Sequence, residues 1–264
     1  MLAPNPPDPP AGLQPPQAAQ NPPALPEQGE EEEEPSEPTY SIFGGNDGGN
    51  QIIQFQMAPG QCVMLNSSTT SSSVLYAHPE VSVYESYESR SSLSGPKFDY
   101  YENYGRQPLI YFRAAAPHAG KILPIILHKA RVALLVQDDC CLANKGRVAH
   151  EAVCLKTGAN TEQQLQMTRF VAKPFEWPSR MRGATVFVHA PGSIMETNLG
   201  SDESMHACIS AIVAVTEGVT LKLPVTSAST HLAEKKDVCV VHGPGTVYIS
   251  SLPVSIAGRD AAEV

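Results

Sequence analysis

Residues 238–249 read VCVVHGPGTVYI, in which two short apolar runs, 238–241 and 246–249, flank Gly243-Pro244-Gly245. Valine, isoleucine and tyrosine are favoured in β-strands, and glycine beside proline is typical of a tight turn. The stretch therefore predicts two strands joined as a β-hairpin. We expect at least one of the two glycines to need a backbone angle that other residues avoid.

The same pattern recurs along most of the chain. Runs of four to seven residues rich in β-branched and apolar side chains stand at 51–57, 132–136, 184–189, 209–215 and 220–223. Turns that contain proline and glycine, such as those at 58–60 and 190–192, separate several of these runs. Short strands with frequent turns predict an all-β fold in which two sheets pack as a sandwich or barrel. The best helix candidate is 161–167, and it lacks an apolar stripe.

One long segment interrupts this rhythm. Residues 66–104 are rich in serine and tyrosine, and several tyrosines stand among serine, glutamate and glycine residues: Tyr84, Tyr87, Tyr100, Tyr101 and Tyr104. This composition predicts a long, mobile loop with strands only at its edges, for example at 81–84. Loops of this length are usually either functional or disordered.

The first 38 residues differ sharply from the rest. They hold 12 of the 24 prolines, 8 of the 27 acidic residues and no Lys or Arg, so residues 39–264 carry a net charge near −1. A segment with so few large apolar residues is predicted to be a disordered, acidic, proline-rich tail. Such a tail is either a solvated solubility segment or a ligand for a proline-recognising domain. Residues 39–264 are predicted to form the β-sandwich domain.

Targeting and membrane signals are weak. The longest good apolar run, 122–127, is far shorter than the roughly 20 residues that span a bilayer, so no transmembrane segment is predicted. The first basic residue is Arg90, which argues against an Arg-rich presequence or a secretory signal. The six scattered cysteines are therefore expected to be reduced thiols.

Five collinear motifs resemble one known family. They are Met57-Ala58-Pro59-Gly60-Gln61, the stretch 116–125 (APHAGKILPI), the stretch 134–143 (LLVQDDCCLA), the pair 186–192 (VFVHAPG) with 198–203 (NLGSDE), and the stretch 243–253 (GPGTVYISSLP). Together, over about residues 40–256, they resemble the altered inheritance of mitochondria family of mitochondrial biogenesis proteins. The fold of that family is like that of the tryptophan RNA-binding attenuator protein.

The resemblance implies both a fold and a role. The fold would be a double-stranded β-helix-like sandwich built from similar halves. The role would be that of a non-enzymatic accessory or scaffold protein in mitochondrial biogenesis and inner-membrane organisation. The location would be mitochondrial, and with no recognisable presequence the alternative is cytoplasmic. Two departures from the family are Cys141, where the family usually has Phe, and 169–183, which replaces a Gly-rich hairpin.

No catalytic, cofactor or metal site is predicted. His206 and Cys208 would share a strand face, but Cys239 and His242 are three residues apart and would point to opposite faces. Zinc needs four convergent ligands, which this spacing does not supply. Cys140 and Cys141 follow Asp138 and Asp139, and nearby carboxylates raise a thiol pKa, which disfavours a nucleophile. Cys141 is expected in the core, and the protein is not expected to be an enzyme.

One segment has the composition of a partner contact. Basic residues alternate with aromatics between residues 169 and 182, and the candidate contacts are Arg169, Lys173, Trp177, Arg180 and Arg182. Such a segment could bind an anionic membrane surface through its basic residues. It could also bind RNA or another single-stranded nucleic acid, with the bases stacked on its aromatic side chains. Protein partners and a homo-oligomer stay open as well. The alternative without a partner is a hairpin whose aromatics cover the sheet while its charges stay in water.

Overall fold

The structure, a computed structural model, describes residues 37–44, 49–67, 74–85, 97–127, 133–146, 148–156, 164–172, 184–222 and 238–254. These residues form 19 strands in four antiparallel sheets, together with two single 3₁₀ turns at Asp138–Cys140 and Ile209–Ala211. The all-β prediction is confirmed. The predicted tail lies outside the described residues except for Glu37 and Pro38. Glu37 pairs with Lys145 of the body at 3.2 Å between carboxylate and ammonium.

The strands divide among four sheets, A to D, in which each strand is hydrogen-bonded to the next one named. Sheet A contains β1 (Thr39–Phe43), β2 (Ile52–Met57), β7 (Ile110–Ala115) and β4 (Val74–Ala77). Sheet B contains β5 (Val81–Glu85), β6 (Phe98–Asn103), β3 (Cys62–Asn66), β10 (Cys141–Lys145), β13 (Ala184–Ala190) and β8 (Lys121–Leu127). Sheet C contains β11 (Val148–Lys156), β12 (Gln164–Ala172), β9 (Leu134–Gln137), β16 (Ile212–Thr216), β19 (Gly245–Ser250) and β14 (Ile194–Leu199). Sheet D contains β15 (Ser204–Cys208), β18 (Val238–His242) and β17 (Thr220–Lys222).

Three apolar cores join the sheets in the order A, B, C, D. Phe55 of sheet A packs with Phe187 of sheet B at 5.3 Å between ring centroids. The opposite face of sheet B, which includes Val186, packs on Phe170 of sheet C. The far face of sheet C shares the third core with sheet D. The central sheets are therefore covered on both sides, which is why β13 is buried at all seven positions.

The predicted hairpin at 238–249 is wrong. Both strands exist, but β18 pairs with β15 and β17 in sheet D, whereas β19 pairs with β14 and β16 in sheet C. The glycine expectation is confirmed, because Gly245 has φ +147°, and a Cβ there would lie 2.6 Å from the Thr216 hydroxyl oxygen. The Gly-Pro-Gly stretch thus turns the chain from one sheet into the next. Short-range sequence patterns show the turn but not which sheet each strand joins.

Two other predictions need correction. The helix predicted at 161–167 is wrong for residues 164–167, which belong to β12. Residues 161–163 lie outside the described residues. Of the predicted loop at 66–104, the described residues form β4, β5 and β6, and the strand expected at 81–84 is confirmed within β5. Tyrosine and β-branched residues are favoured in strands. Because β6 pairs with β3 and β4 pairs with β7, these segments form strands despite the Ser-rich composition that predicted a loop.

Candidate functional site

Arg169, one of the predicted contacts, lies on β12 directly opposite Glu151 of β11. Its guanidinium donates to the Glu151 carboxylate at 2.9 Å and to the Glu217 carboxylate at 3.1 Å. These two hydrogen bonds raise the pKa of Arg169. Two carboxylates therefore balance its charge, so Arg169 is already engaged within the protein. The other predicted contacts, Lys173, Trp177, Arg180 and Arg182, lie outside the described residues.

The histidines and cysteines of sheet D divide between its two faces as the spacing predicts. Cys239 lies opposite Ala207, and both are buried against sheet C. His242 lies opposite Ser204, on the same face as His206. Within the described ranges no group of three or more His, Cys, Asp or Glu residues is placed to hold a metal ion.

The adjacent Cys140 and Cys141 side chains are buried in the core between sheets B and C, as expected for Cys141. Burial and the charge of Asp139 raise the pKa of Cys140, and burial and the charge of Asp138 raise the pKa of Cys141. Both shifts favour the protonated thiol. The predicted direction is confirmed, although burial contributes more than the carboxylates do.

Two of the family-like motifs meet where β8 pairs with β13. His189, only 4% exposed, lies opposite Ile122. Its pKa is lowered to about 4, mainly because of burial. A hydrogen bond with the His118 backbone raises the pKa, and the charge of His118 lowers it. A Cβ at Gly120 would clash first with the Ala190 carbonyl oxygen and would lie 2.9 Å from the His189 Nε2 atom, so glycine lets both groups approach closely. This is a packed, neutral histidine.

The feature with contact chemistry is a tyrosine–glutamate cluster, which we define as Tyr84, Tyr100, Glu102 and Tyr104. The Tyr84 and Tyr100 rings stack, with centroids 5.2 Å apart and planes 2° from parallel. The Tyr84 hydroxyl donates to the Glu102 carboxylate at 2.6 Å. Tyr104, 64% exposed, also hydrogen-bonds to Glu102, and this bond raises the pKa of Tyr104.

Strand register assembles this cluster. Tyr84 of β5 lies directly opposite Tyr100 of β6, and Glu102 lies opposite Cys62 of β3. Because successive side chains alternate between faces, Tyr100 and Glu102 share one face while Tyr101 points into the core between sheets A and B. Partial burial and the hydrogen bond to Glu102 raise the pKa of Tyr84. Burial and the charge of Glu102 likewise raise the pKa of the Cys62 thiol.

Other large side chains are exposed in the same part of the chain. We call the whole set the tyrosine patch: besides the cluster it comprises Leu75, Leu109, Val83 on the opposite face of sheet B, and Tyr76 and Tyr111 on the outer face of sheet A. Backbone hydrogen bonds hold the segments of the patch together: His78 N donates to Tyr111 O, and Tyr104 N donates to Glu80 O. Exposed aromatic side chains are enriched at sites that contact other proteins.

Sequence reasoning missed this surface because it treated 66–104 as a loop. The usable signal was the period-two pattern at 98–104, FDYYENY, in which Tyr100, Glu102 and Tyr104 fall on one side and Tyr101 on the other. Serine-rich composition on both sides concealed that pattern.

In the described part of the chain, no helix is long and apolar enough to cross a membrane.

The fold and these residues define a layered all-β protein with exposed aromatic side chains. The chain belongs to the family described as Mitochondrial biogenesis AIM24, which it matches over residues 45–252. No curated protein sequence matches it. A crystal structure of a protein from Streptococcus pyogenes shares the fold, with a TM-score of 0.63 and 15% sequence identity. That alignment covers 86% of this chain and all of the streptococcal chain.

Proposed function

We propose that this protein is a non-enzymatic accessory or scaffold factor of mitochondrial biogenesis, acting in inner-membrane organisation through protein contacts at the tyrosine patch. Membership of the mitochondrial biogenesis family supports the process and a mitochondrial location. The observation that carries the contact is the set of exposed tyrosine and aliphatic side chains between residues 75 and 111, on strands of sheets A and B and the segment that joins β6 to β7. Tyrosine supplies large contact area at low conformational entropy, so such groups are favoured at interfaces.

RNA binding by an attenuator-like fold is the less favoured alternative. It depends on the segment 169–182, and Arg169, the described member of that segment, is neutralised by Glu151 and Glu217. Counterion release makes nucleic-acid affinity fall steeply as salt concentration rises. Apolar contacts at the tyrosine patch would depend on salt far less. A salt series on any isolated complex therefore separates the two functions.

The proposal is tested by complementation of cells that lack the protein. We expect the parent chain to restore inner-membrane morphology and a fluorescent fusion to coincide with a mitochondrial marker. The triple variant Leu75→Ser, Val83→Ser, Leu109→Ser should fold and localise but fail to restore morphology. The matched control replaces two exposed apolar residues elsewhere, Ile126 and Met195, by Ser. Full complementation by the triple variant would overturn the proposal.

A further inference from the structure

The Glu102 carboxylate at the tyrosine patch has unused hydrogen-bonding capacity. An ionised carboxylate offers about four lone-pair sites. The Tyr84 and Tyr104 hydroxyls occupy two of these sites, both as neutral donors. Among the described residues no Lys or Arg forms an ion pair with Glu102, including Arg106 close by in the chain. The cluster thus presents a negative charge, and about two acceptor positions, at an exposed surface.

The surroundings of Glu102 restrict the kind of cation that fits. The Tyr84 and Tyr100 rings lie parallel to each other near the carboxylate, and the exposed Tyr104 follows directly after β6. A flat cation can lie against such rings while donating to the carboxylate. Guanidinium is planar, carries five donors and binds carboxylates with two parallel hydrogen bonds. A quaternary ammonium group also favours aromatic rings, but it has no donor for the open acceptor positions.

We propose that the tyrosine–glutamate cluster is a recognition site for an arginine side chain of a protein partner. In this complex the guanidinium donates to Glu102 and lies against the rings of Tyr84 and Tyr104. The inference rests on the proposed protein contact at the tyrosine patch and names the chemistry of the partner. A negative charge that no described cation neutralises, set in an aromatic surface, is complementary to that one side chain.

The test uses the full chain with ¹³C-labelled tyrosine rings and four acetylated, amidated tripeptides Gly-X-Gly. X is arginine, lysine, citrulline or trimethyllysine, and ring resonances are followed during titration. The arginine peptide should shift the signals of Tyr84, Tyr100 and Tyr104. The signals of Tyr76 and Tyr111, which lie on the outer face of sheet A, provide an internal reference because they should not move.

The variants isolate the charge. Glu102→Gln keeps an acceptor for the Tyr84 hydroxyl and should weaken arginine binding about tenfold or more, since hydrogen bonds to a charged group are lost. Glu196→Gln, at an exposed position on β14, is the matched control and should bind as the parent does. The lysine peptide should bind several-fold more weakly than arginine, and the citrulline and trimethyllysine peptides should produce no shift at the cluster.

Three results would overturn the inference. One is a trimethyllysine response equal to that of arginine, and another is unchanged arginine binding by Glu102→Gln. The third is peptide binding with no shift at the cluster rings, as expected if only the acidic residues 30–34 capture the peptide. If any of these occurs while the triple variant of the tyrosine patch still fails to complement cells, the protein contact stands and the arginine site alone is rejected.

Discussion

The buried His189 predicts a specific loss of stability in mild acid. In the folded protein its pKa is lowered to about 4, first by burial, whereas an ordinary histidine titrates near 6.5. The folded state therefore binds fewer protons than the unfolded chain between these two values. The stability that His189 contributes is fully present above pH 6.5 and is lost as the pH falls towards 4.

The size of this effect follows from linkage. With a pKa of about 4 folded and 6.5 unfolded, lowering the pH from 7 to 5 should reduce the free energy of unfolding by about 2 kcal/mol. Near neutral pH a domain of this size loses roughly 2–4 °C of melting temperature per kcal/mol, so the midpoint should fall by about 4–8 °C. The raised pKa of Asp138 acts in the opposite sense, because burial disfavours its charged form and this cost decreases as the carboxyl takes up a proton at lower pH.

The assay is urea unfolding at pH 5, 6, 7 and 8 for the parent chain and for His189→Asn, which removes the titrating group. The difference between the two pH slopes isolates His189, since Asp138 is common to both proteins. His206→Gln, at an exposed position on β15, is the matched control for the loss of a histidine. A His189→Asn variant that loses as much stability from pH 7 to pH 5 as the parent would refute the reasoning.

Three further outcomes are expected. Gly245→Val should lower the free energy of unfolding by about 1–3 kcal/mol because of its φ of +147°, and an unchanged denaturation midpoint would contradict this. Arg169→Ala should cost about 0.5–1 kcal/mol at low salt and less at high salt, since it separates exposed ion pairs; equal effects at both salts would exclude an electrostatic cause. Deleting residues 1–36 should leave the melting temperature nearly unchanged. Deleting residues 1–38 should lower it slightly because the Glu37–Lys145 ion pair is also removed. Differential scanning calorimetry of the two truncated proteins measures this contrast.

Local patterns were sufficient for the strands whose two faces are both buried. Residues 184–189 and 246–249 are short, β-branched and bounded by turns, and the structure has them as β13 and β19. The same patterns could not assign β18 and β19 to different sheets, because that choice depends on contacts with strands distant in the chain. Strand existence is a local property, whereas sheet membership is not.

The candidate site was predicted less well. The basic–aromatic segment attracted attention through composition, yet Arg169 is balanced by Glu217, a residue 48 positions away in sequence. The tyrosine–glutamate cluster was overlooked because its members come from two strands separated by a serine-rich stretch. The pairing of Tyr84 with Tyr100, and the hydrogen bond from the Tyr84 hydroxyl to Glu102, cannot be predicted before the strand register is known.

The positions of the family-like motifs explain why membership alone does not name a partner. The stretches 116–125 and 186–192 lie largely in the paired strands β8 and β13 and the turns next to them, where side chains such as Val186 and Phe187 are fully buried. The exposed residues of the tyrosine patch fall between 75 and 111, where none of the motifs lies. These two motifs therefore maintain the layered fold, and the proposed partner contact would be carried by residues outside them. If the arginine site exists, substitutions at Glu102 and its neighbouring tyrosines should change which partner binds while leaving the fold intact.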